Sequence, residues 1–362
     1  EKAENIFSDI PDRAWYTNDV LKALYAGVIA DDGTGRFDPT APVSRQKAAV
    51  ILYNAFRLEV TDIDAVSRFR DASGIEESCR AALSALVENG YMVGKIGNII
   101  APADNLTRAE FVVLLDKIAG NLIRKPGTYS GDNKGNLVVN TRDVVLRDMV
   151  IDGDLFLTEG IGDGEVVLDN VTVKGRTVVK GGGENSIVIN NSSLEGTLLV
   201  IKADGKIKIV ASGSTEIPSV KLGSGALLHE KDLEGKGFDS IELLGTVEPG
   251  QEIVLEGDFD SVFVNAPGVK INVADGTVRS LEVGEEASGA LIDIADNASV
   301  GIFTANSSVN VTGNGNIDTA NINSNMEPST ARATARATVS GHGTNILPDL
   351  PMNSIHTQLN GS

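Results

Sequence analysis

The sequence has very little of several residue types on which common protein chemistries depend. Cysteine occurs once, at Cys79, so an intramolecular disulfide is excluded and the residue is expected to be a small core filler. The histidines are scattered at His229, His342 and His356, so no histidine metal cluster is predicted. No run of about 20 apolar residues is present, so no membrane-spanning helix is predicted.

Basic residues and aromatic side chains are also scarce. The 31 lysines and arginines are outnumbered by 50 acidic residues, which gives a net charge of −19. Nucleic acid is excluded as a partner because phosphate binding needs a basic surface. An acidic surface keeps a secreted protein soluble and could recruit divalent cations, so no cofactor is predicted and calcium is left open. Aromatics at 4% and 39 glycines favour a repetitive β architecture over a compact enzyme.

The first 120 residues contain most of the helix-forming runs, and these runs repeat. Helices are predicted over residues 20–27 and from the N-cap Ser44 through Phe56. Each helix–loop–helix unit is too small to bury its apolar faces alone, so the two units are expected to pack together. The landmarks recur at a shift of 62 or 63 residues: Phe7 and Phe69, Gly27 and Gly90, and Ser44 and Thr107.

These repeats resemble the S-layer homology family. The resemblance rests on the Phe-x-Asp opening at 7–9, on Trp15, on the Gly-x-Phe-x-Pro loop at 35–39, and on Leu106-Thr107-Arg108-Ala109-Glu110, which matches the family's Thr-Arg-Ala-Glu signature. It implies a secreted cell-surface protein of Firmicutes type, held non-covalently on a pyruvylated secondary cell-wall polysaccharide. The signature arginine would pair with the acidic ketal carboxylate through its planar fork, beside free N–H groups at a helix start. The glycan-binding residues that the resemblance implies are Thr107, Arg108, Glu110, Arg45, Trp15, Asp9 and Asp71.

The sequence also departs from the family pattern. The signature of the first repeat is degraded to Ser44-Arg45-Gln46-Lys47, and the second repeat lacks the tryptophan and has a loop at 94–98 that is interpreted as shortened. Only two repeats are visible where the family typically has three, so the third is expected upstream or from another chain. The alternative is that these repeats serve only as packing or assembly units.

After Gly120 the chain changes to short β-rich runs separated by Gly, Asn and Asp turns. A period of about 20 residues predicts a parallel β-helix with Asn and Gly at its corners. In–out alternation is expected within 278–283 and 317–322. The repeated triplets begin at Val144, Val166, Ile187 and Ile207, and then at Ile253, Ile271, Ile292 and Val309.

The predicted fold is mainly β with an α-helical N-terminal module: a right-handed parallel β-helix-like solenoid preceded by helical repeats of S-layer homology type. Residues 153–187 also resemble a region that follows such repeats in surface proteins and that has no known catalytic role. The predicted domains are repeat 1 at 1–62, repeat 2 at 63–124, the solenoid at 125–326 and a low-complexity tail at 327–362.

A wall-tethered polysaccharide lyase or glycosidase is the alternative function, because many β-helices cleave acidic glycans. Such enzymes need paired carboxylates, or a calcium site with a basic proton acceptor. Most candidate acids lie in turns, where Asp is expected for backbone reasons. The tripeptide at 341–343, Gly-His-Gly, is weak evidence alone. The candidate acids are Asp148, Asp152, Asp154, Asp163, Glu165, Asp258 and Asp260.

The predicted function is therefore non-catalytic: wall attachment, with the solenoid as a stalk or as a unit of a self-assembling array or fibre. Three features predict homo-oligomers. Two repeats of a module that typically has three leave apolar helix faces uncovered. A solenoid end exposes backbone groups that another chain can pair with. The tail carries Arg332 and Arg336 beside an acidic body, and a head-to-tail contact of this kind does not close on itself.

Overall fold

The computed structural model describes residues 4–183, 187–203 and 205–323, and the backbone of 336–339. The chain divides into two compact units, Glu1–Gly120 and Asn121–Ser362. The first is helical and the second consists of stacked parallel strands, so the mainly β architecture with a helical N-terminal module is confirmed.

The helical unit contains two helices in each sequence repeat. Ser44 and Thr107 begin equivalent helices as N-caps, and their side chains accept hydrogen bonds from Lys47 N (3.3 Å) and Glu110 N (3.2 Å), which confirms the predicted helix start at Ser44. Two 3-10 turns at 65–68 and 72–74 open the second repeat. The helices are α1 (Thr17–Tyr25), α2 (Arg45–Ala55), α3 (Glu77–Glu88) and α4 (Arg108–Ala119).

The core of this unit is shared between the repeats, as the small size of each repeat predicts. A minor cluster of Phe7, Ile10 and Val20 lies within the first repeat. The main cluster takes side chains from α2 of the first repeat and from both helices of the second. Among its buried members are Ala49, Leu52, Ala82, Leu83, Ala85, Leu86, Leu114 and Ile118.

The loop after the first helix has the same length in both repeats, so the interpretation of the second loop as shortened is wrong. Gly27 and Gly90 end α1 and α3 with φ of 65° and 71°. Phe37 and Ile100 follow these glycines by 10 residues in each repeat. The second loop differs in composition instead, and Lys95 N donates to Ile99 O at 2.7 Å to close it as a tight hairpin.

The second unit is a stack of parallel strands in which each strand pairs with the equivalent strand one coil later. Its first strand precedes Lys125, so the β unit begins at Asn121. The last strand lies in the segment that the sequence set apart as a tail, and its backbone pairs with the strand before it. Arg332 falls outside the described residues.

The strands are β1 (Asn121–Ile123), β2 (Gly127–Ser130), β3 (Leu137–Val139), β4 (Val144–Ile151), β5 (Leu155–Leu157), β6 (Val166–Val173), β7 (Thr177–Val179), β8 (Ile187–Asn190), β9 (Ser193–Leu194), β10 (Leu198–Val200), β11 (Ile207–Gly213), β12 (Glu216–Leu222), β13 (Ala226–Leu233), β14 (Gly237–Leu243), β15 (Glu252–Val264), β16 (Lys270–Val283), β17 (Ala290–Ile294), β18 (Ala298–Ala305), β19 (Val309–Gly313), β20 (Asn316–Ile322) and β21 (Arg336–Val339).

The register confirms the predicted stacking of most triplets and corrects two of them. Val144 lies opposite Val166, Val166 opposite Ile187, and Ile271 opposite Ile292, as expected. Ile187 pairs with Ile209 and not with Ile207, and Ile292 pairs with Val311 and not with Val309. Both corrections are shifts of two residues.

The corners are built as the sequence predicts. Asp148, Asn170 and Asn191 occupy one corner in successive coils with φ of 50°, 56° and 47°. Asn170 Nδ2 donates to Asp148 Oδ1 at 2.7 Å, so side chains connect the coils along this column. At a second corner, a Cβ on Gly175 would lie 2.6 Å from Gly153 C, so only glycine fits there.

The expected in–out alternation within 278–283 is interrupted, because β16 passes around a corner there. Val278, Leu281 and Val283 point inward, whereas Arg279 is exposed and Ser280 is half-buried. Two successive side chains therefore lie outside the core before the inward pattern resumes. The strand β20 shows the same spacing, with Ile317 and Ala320 buried.

Candidate functional site

Arg45, the signature arginine of the first repeat, lies in the junction between the two repeats. It is the first residue of α2 and only 5% exposed. Its Nε donates to Ile100 O at 3.0 Å and its Nη2 to Val93 O at 3.1 Å. Its Nη1 pairs with Glu110 Oε1 at 3.3 Å. All three acceptors belong to the second repeat, so Arg45 holds the repeats together.

Backbone contacts support the same junction. Leu106 N donates to Val43 O and Arg45 N donates to Asp104 O, both at 2.8 Å. Gln46 and Glu76 exchange two hydrogen bonds, Gln46 Nε2 to Glu76 Oε1 at 2.6 Å and Glu76 N to Gln46 Oε1 at 3.1 Å. Sequence analysis missed this pair, although Gln46 stands where the signature of the second repeat has alanine.

Asp9 and Asp71 each accept two backbone hydrogen bonds at equivalent positions of the two repeats. Asp9 accepts from Phe37 N at 2.8 Å and Asp38 N at 2.7 Å, and the Phe37 N–H holds the pKa of this carboxyl below its ordinary value. Asp71 accepts from Ile100 N and Ala101 N, both at 2.8 Å. Because Ile100 O also accepts from Arg45, Asp71 is connected to the junction through one peptide segment.

Thr107 and Glu110 form a capping box at the start of α4. Thr107 Oγ1 accepts from Glu110 N at 3.2 Å, and Glu110 Oε2 accepts from Thr107 N at 2.9 Å. The Thr107 N–H, its hydroxyl and Arg45 lower the pKa of Glu110 below its ordinary value. The carboxylate is thus kept ionised where it meets Arg45. The structure therefore brings Thr107, Glu110, Arg45 and Asp71 into one network.

Arg108 and Trp15 lie outside that network. Arg108 is exposed at the first turn of α4, and its side chain makes no hydrogen bond or ion pair with any residue that the structure describes. The indole of Trp15 is 89% exposed and packs edge-on against Tyr16, with ring centroids 5.4 Å apart. The two signature arginines thus occupy opposite environments: Arg45 is enclosed by acceptors and Arg108 is open to solvent.

Comparison with known proteins identifies the helical unit. The profile of the S-layer homology domain matches residues 6–49 and 68–112, which are the two repeats described above. The chain contains two S-layer homology repeats and is a secreted, cell-surface protein. The S-layer homology matches end before the solenoid begins.

The proteins to which the chain is similar include two surface-layer proteins and an enzyme. The chain is 28% identical over 123 residues to the surface-layer 125 kDa protein of Lysinibacillus sphaericus, covering 33% of this chain and 10% of the relative. It is 24% identical over 257 residues to the S-layer protein of Bacillus licheniformis, covering 68% and 28%. It is 28% identical over 113 residues to the amylopullulanase of Thermoanaerobacterium thermosulfurigenes, covering 30% and 6%. The chain thus spans 28% or less of each relative's length.

No helix among the described residues is long and apolar enough to cross a membrane. Within the same residues, no group of three or more His, Cys, Asp or Glu side chains is arranged to hold a metal ion. Cys79 is buried in α3, and burial raises the pKa of its thiol. His342 and His356 fall outside the described residues.

Proposed function

We propose that the S-layer homology module attaches the protein to a pyruvylated secondary cell-wall polysaccharide, with Arg108 as the principal anion contact. The observation that carries this proposal is the solvent-exposed guanidinium of Arg108, which has no protein partner among the described residues. It lies at a helix start, where the helix dipole and free N–H groups also favour an anion. A planar guanidinium binds a carboxylate through two parallel hydrogen bonds.

The other predicted site residues support this contact in different ways. Trp15 presents an exposed ring on which a sugar could stack, and it belongs to the first repeat. Asp9 and Asp71 hold the two loops through paired backbone hydrogen bonds. Thr107 and Glu110 fix the start of α4, and Arg45 joins the repeats. In this proposal Arg108 and Trp15 contact the glycan and the remaining residues position them.

Arg108→Ala is expected to weaken binding to purified wall polysaccharide by about 10- to 150-fold, because a lost charge-assisted hydrogen bond costs about 1.5–3 kcal/mol. Pull-down with pyruvylated polysaccharide measures the effect, and polysaccharide stripped of pyruvyl groups should bind both proteins equally weakly. Arg142→Ala, which removes an exposed arginine of the solenoid, is the matched control. Unchanged binding of the Arg108 variant would remove Arg108 from the site.

The solenoid is proposed to serve as a non-catalytic stalk or as a unit of a surface array. One continuous apolar core runs through its coils, from Ile123 to Ala320. Such a stack is a rigid extended body with backbone edges at its ends, which suits display and end-to-end assembly. The alignment with the Bacillus licheniformis S-layer protein covers 68% of this chain and therefore includes part of the solenoid.

A wall-tethered enzyme is the second candidate, because an amylopullulanase is among the relatives, although it shares only the S-layer homology region. Several of the candidate acids of the solenoid are engaged in contacts between coils. Asp152 Oδ1 pairs with Lys174 at 2.7 Å and Asp154 Oδ2 with Arg176 at 2.6 Å. Asp258 Oδ1 accepts from Thr277 N at 2.9 Å. These bonds give the carboxylates a structural role.

We therefore expect no cleavage of pectin, alginate or wall polysaccharide by the full chain. Reducing ends and unsaturated uronides are the products to assay, with and without added calcium. Release of either product above the level of a heat-denatured sample would favour the enzyme and would call for substitution of the solenoid acids one at a time. Absence of product with all of these glycans is the expected result, because Asp152, Asp154 and Asp258 of the solenoid are bonded to neighbouring coils and are not arranged as a free carboxylate pair.

A further inference from the structure

One side of α4 is exposed along its whole length although it is apolar at its centre. Its residues are Arg108, Ala109, Val112, Val113 and Asp116, which together we name the outward stripe of α4. Val112 is 62% exposed and Val113 54% exposed, and both are among the most exposed large apolar side chains of the described residues. Neighbouring valines in water at the middle of a helix indicate a surface that another element covers.

The equivalent surface of α2 shows that this fold packs such a stripe. Arg45, Gln46 and Ala49 stand 63 positions before Arg108, Ala109 and Val112, and they are 5%, 4% and 0% exposed. In the first repeat, therefore, the stripe is buried against the second repeat. In the second repeat it is left open, although both helices start with an N-cap side chain that accepts a hydrogen bond from the backbone N–H three residues later.

The outer face of α1 differs from the equivalent face of α3. Ala82 and Ala85 of α3 are buried in the core that also holds Ala49. Their equivalents in α1, 63 positions earlier, are Asp19 and Lys22, which are exposed. A polar outer face is what a terminal repeat needs in water. The outer face of α1 is thus polar, whereas the outward stripe of α4 is apolar at its centre.

The charges on the outward stripe are self-complementary. Arg108 stands at one end and Asp116 at the other, about 12 Å apart along the axis at 1.5 Å per residue. Neither makes an ion pair within the part of the chain that the structure describes. An identical helix laid antiparallel places each Arg108 opposite the Asp116 of the other copy and brings the valines together at the centre. This is the residue pattern of an isologous two-fold contact.

We propose that a second copy of this chain docks on the outward stripe of α4 through a two-fold axis near Val112 and Val113. Two arginine–carboxylate pairs flank the apolar centre and fix the antiparallel direction. A single helix pair buries little area, so the contact is weak in dilute solution and effective at the high local density of a cell surface. A wall glycan that contacts Arg108 at one end of this surface would leave the valines at its centre uncovered, because valine offers no flat ring on which a sugar could stack.

Charge exchange tests the contact in sedimentation equilibrium of the full chain over a concentration series. Asp116→Arg and Arg108→Asp should each weaken self-association at least about tenfold, because each reversal places like charges opposite each other at two symmetry-related positions. The double variant Arg108→Asp with Asp116→Arg should restore association, since both pairs form again with their signs exchanged. Asp19→Arg, the same substitution on the polar face of α1, is the matched control.

Several outcomes would overturn the proposal: a wild-type chain that is monomeric at every concentration, an Asp116→Arg variant that associates as the wild type does, or a double variant no better than the single ones. If the chains associated through other surfaces, the double variant would not restore the self-association that the single variants lose. Circular dichroism at 222 nm verifies that each variant is folded, and Val112→Asp supplies an independent disruption of the same contact.

Arg108 is also the proposed glycan contact, so the two ligands compete if both proposals hold. This expectation rests on the proposed function: pyruvylated polysaccharide should dissociate the dimer. The Asp116→Arg variant should keep wall binding and lose self-association. A dimer that forms but persists at saturating polysaccharide would leave the docking surface intact and remove Arg108 from the glycan site. A chain that does not self-associate but still binds the wall would overturn the docking proposal and leave Arg108 in the glycan site.

Discussion

Replacing Phe238 by alanine is expected to lower the free energy of unfolding of the solenoid coils around it by about 3–5 kcal/mol. The side chain is fully buried, and its ring stacks on Phe259 in the next coil with centroids 6.2 Å apart. Ile217 lies on the other side of Phe238 in the preceding coil. Because backbone ladders hold successive coils about 4.8 Å apart, the neighbours cannot close over the cavity. The cavity should therefore lower the free energy of unfolding by its full cost.

Hydrogen exchange measures this loss coil by coil, because a stack in which each coil contacts only its neighbours opens locally. Protection should fall most between β12 and β16 and least in β3 to β6. Phe263→Ala, which removes a half-buried ring pointing away from the core of the same unit, is the matched control and should cost clearly less. Equal loss of protection from both substitutions, or uniform loss along the whole stack, would contradict the assignment of Phe238 as a locked core residue.

The solenoid could be predicted from the sequence because its repeat is carried by aliphatic triplets whose first and third residues point inward. The same feature explains the two errors of register. Ile187 pairs with Ile209, although the triplet beginning at Ile207 offers an equally apolar partner. A slip of two residues keeps every inward side chain inward, so hydrophobic pattern cannot detect it. The backbone hydrogen bonds decide the register, and they leave no mark on side-chain composition.

Alternation failed at the corners for a related reason. The pattern of period two holds only while the chain continues along one face of the coil. At Arg279 and Ser280 the chain turns to the next face inside a continuous β16, so two successive residues point outward. Neither is a glycine or an asparagine, and the usual turn signal is therefore missing there.

The different environments of Arg45 and Arg108 could not be predicted from the repeated sequence motif. The signatures of the two repeats suggest one role for Arg45 and Arg108, with the first weakened by its degraded motif. The structure separates them because a second repeat follows the first and encloses Arg45, whereas Arg108 is open. The difference lies in what stands next to each helix and not in the motif itself. Gln46, which replaces the alanine of the signature and bonds Glu76, is the local sign of that enclosure.

Arg45→Ala is expected to lower the free energy of unfolding of the helical unit by about 3 kcal/mol. The largest part comes from Ile100 O, a carbonyl of a fully buried residue that would lose its donor. Loss of the packed arginine stem and of the bond to Val93 O adds to it. The ion pair with Glu110 contributes less, because that carboxylate is 37% exposed and water screens it. Urea unfolding followed at 222 nm, where the helices dominate the signal, measures the change.

Two comparisons decide whether Arg45 acts by joining the repeats. Arg45→Lys keeps the charge but offers a single ammonium in place of a fork, so it cannot reach both carbonyls and Glu110 together and should recover only part of the stability. Arg36→Ala removes an arginine that is 55% exposed and paired at the surface with Asp38, so it should change stability little. In hydrogen exchange, Arg45→Ala should release protection in α2 and α3 together, because their shared core depends on the junction. Full stability in the Arg45→Ala variant would show that the backbone contacts and the Gln46–Glu76 pair suffice to hold the repeats together without the buried guanidinium.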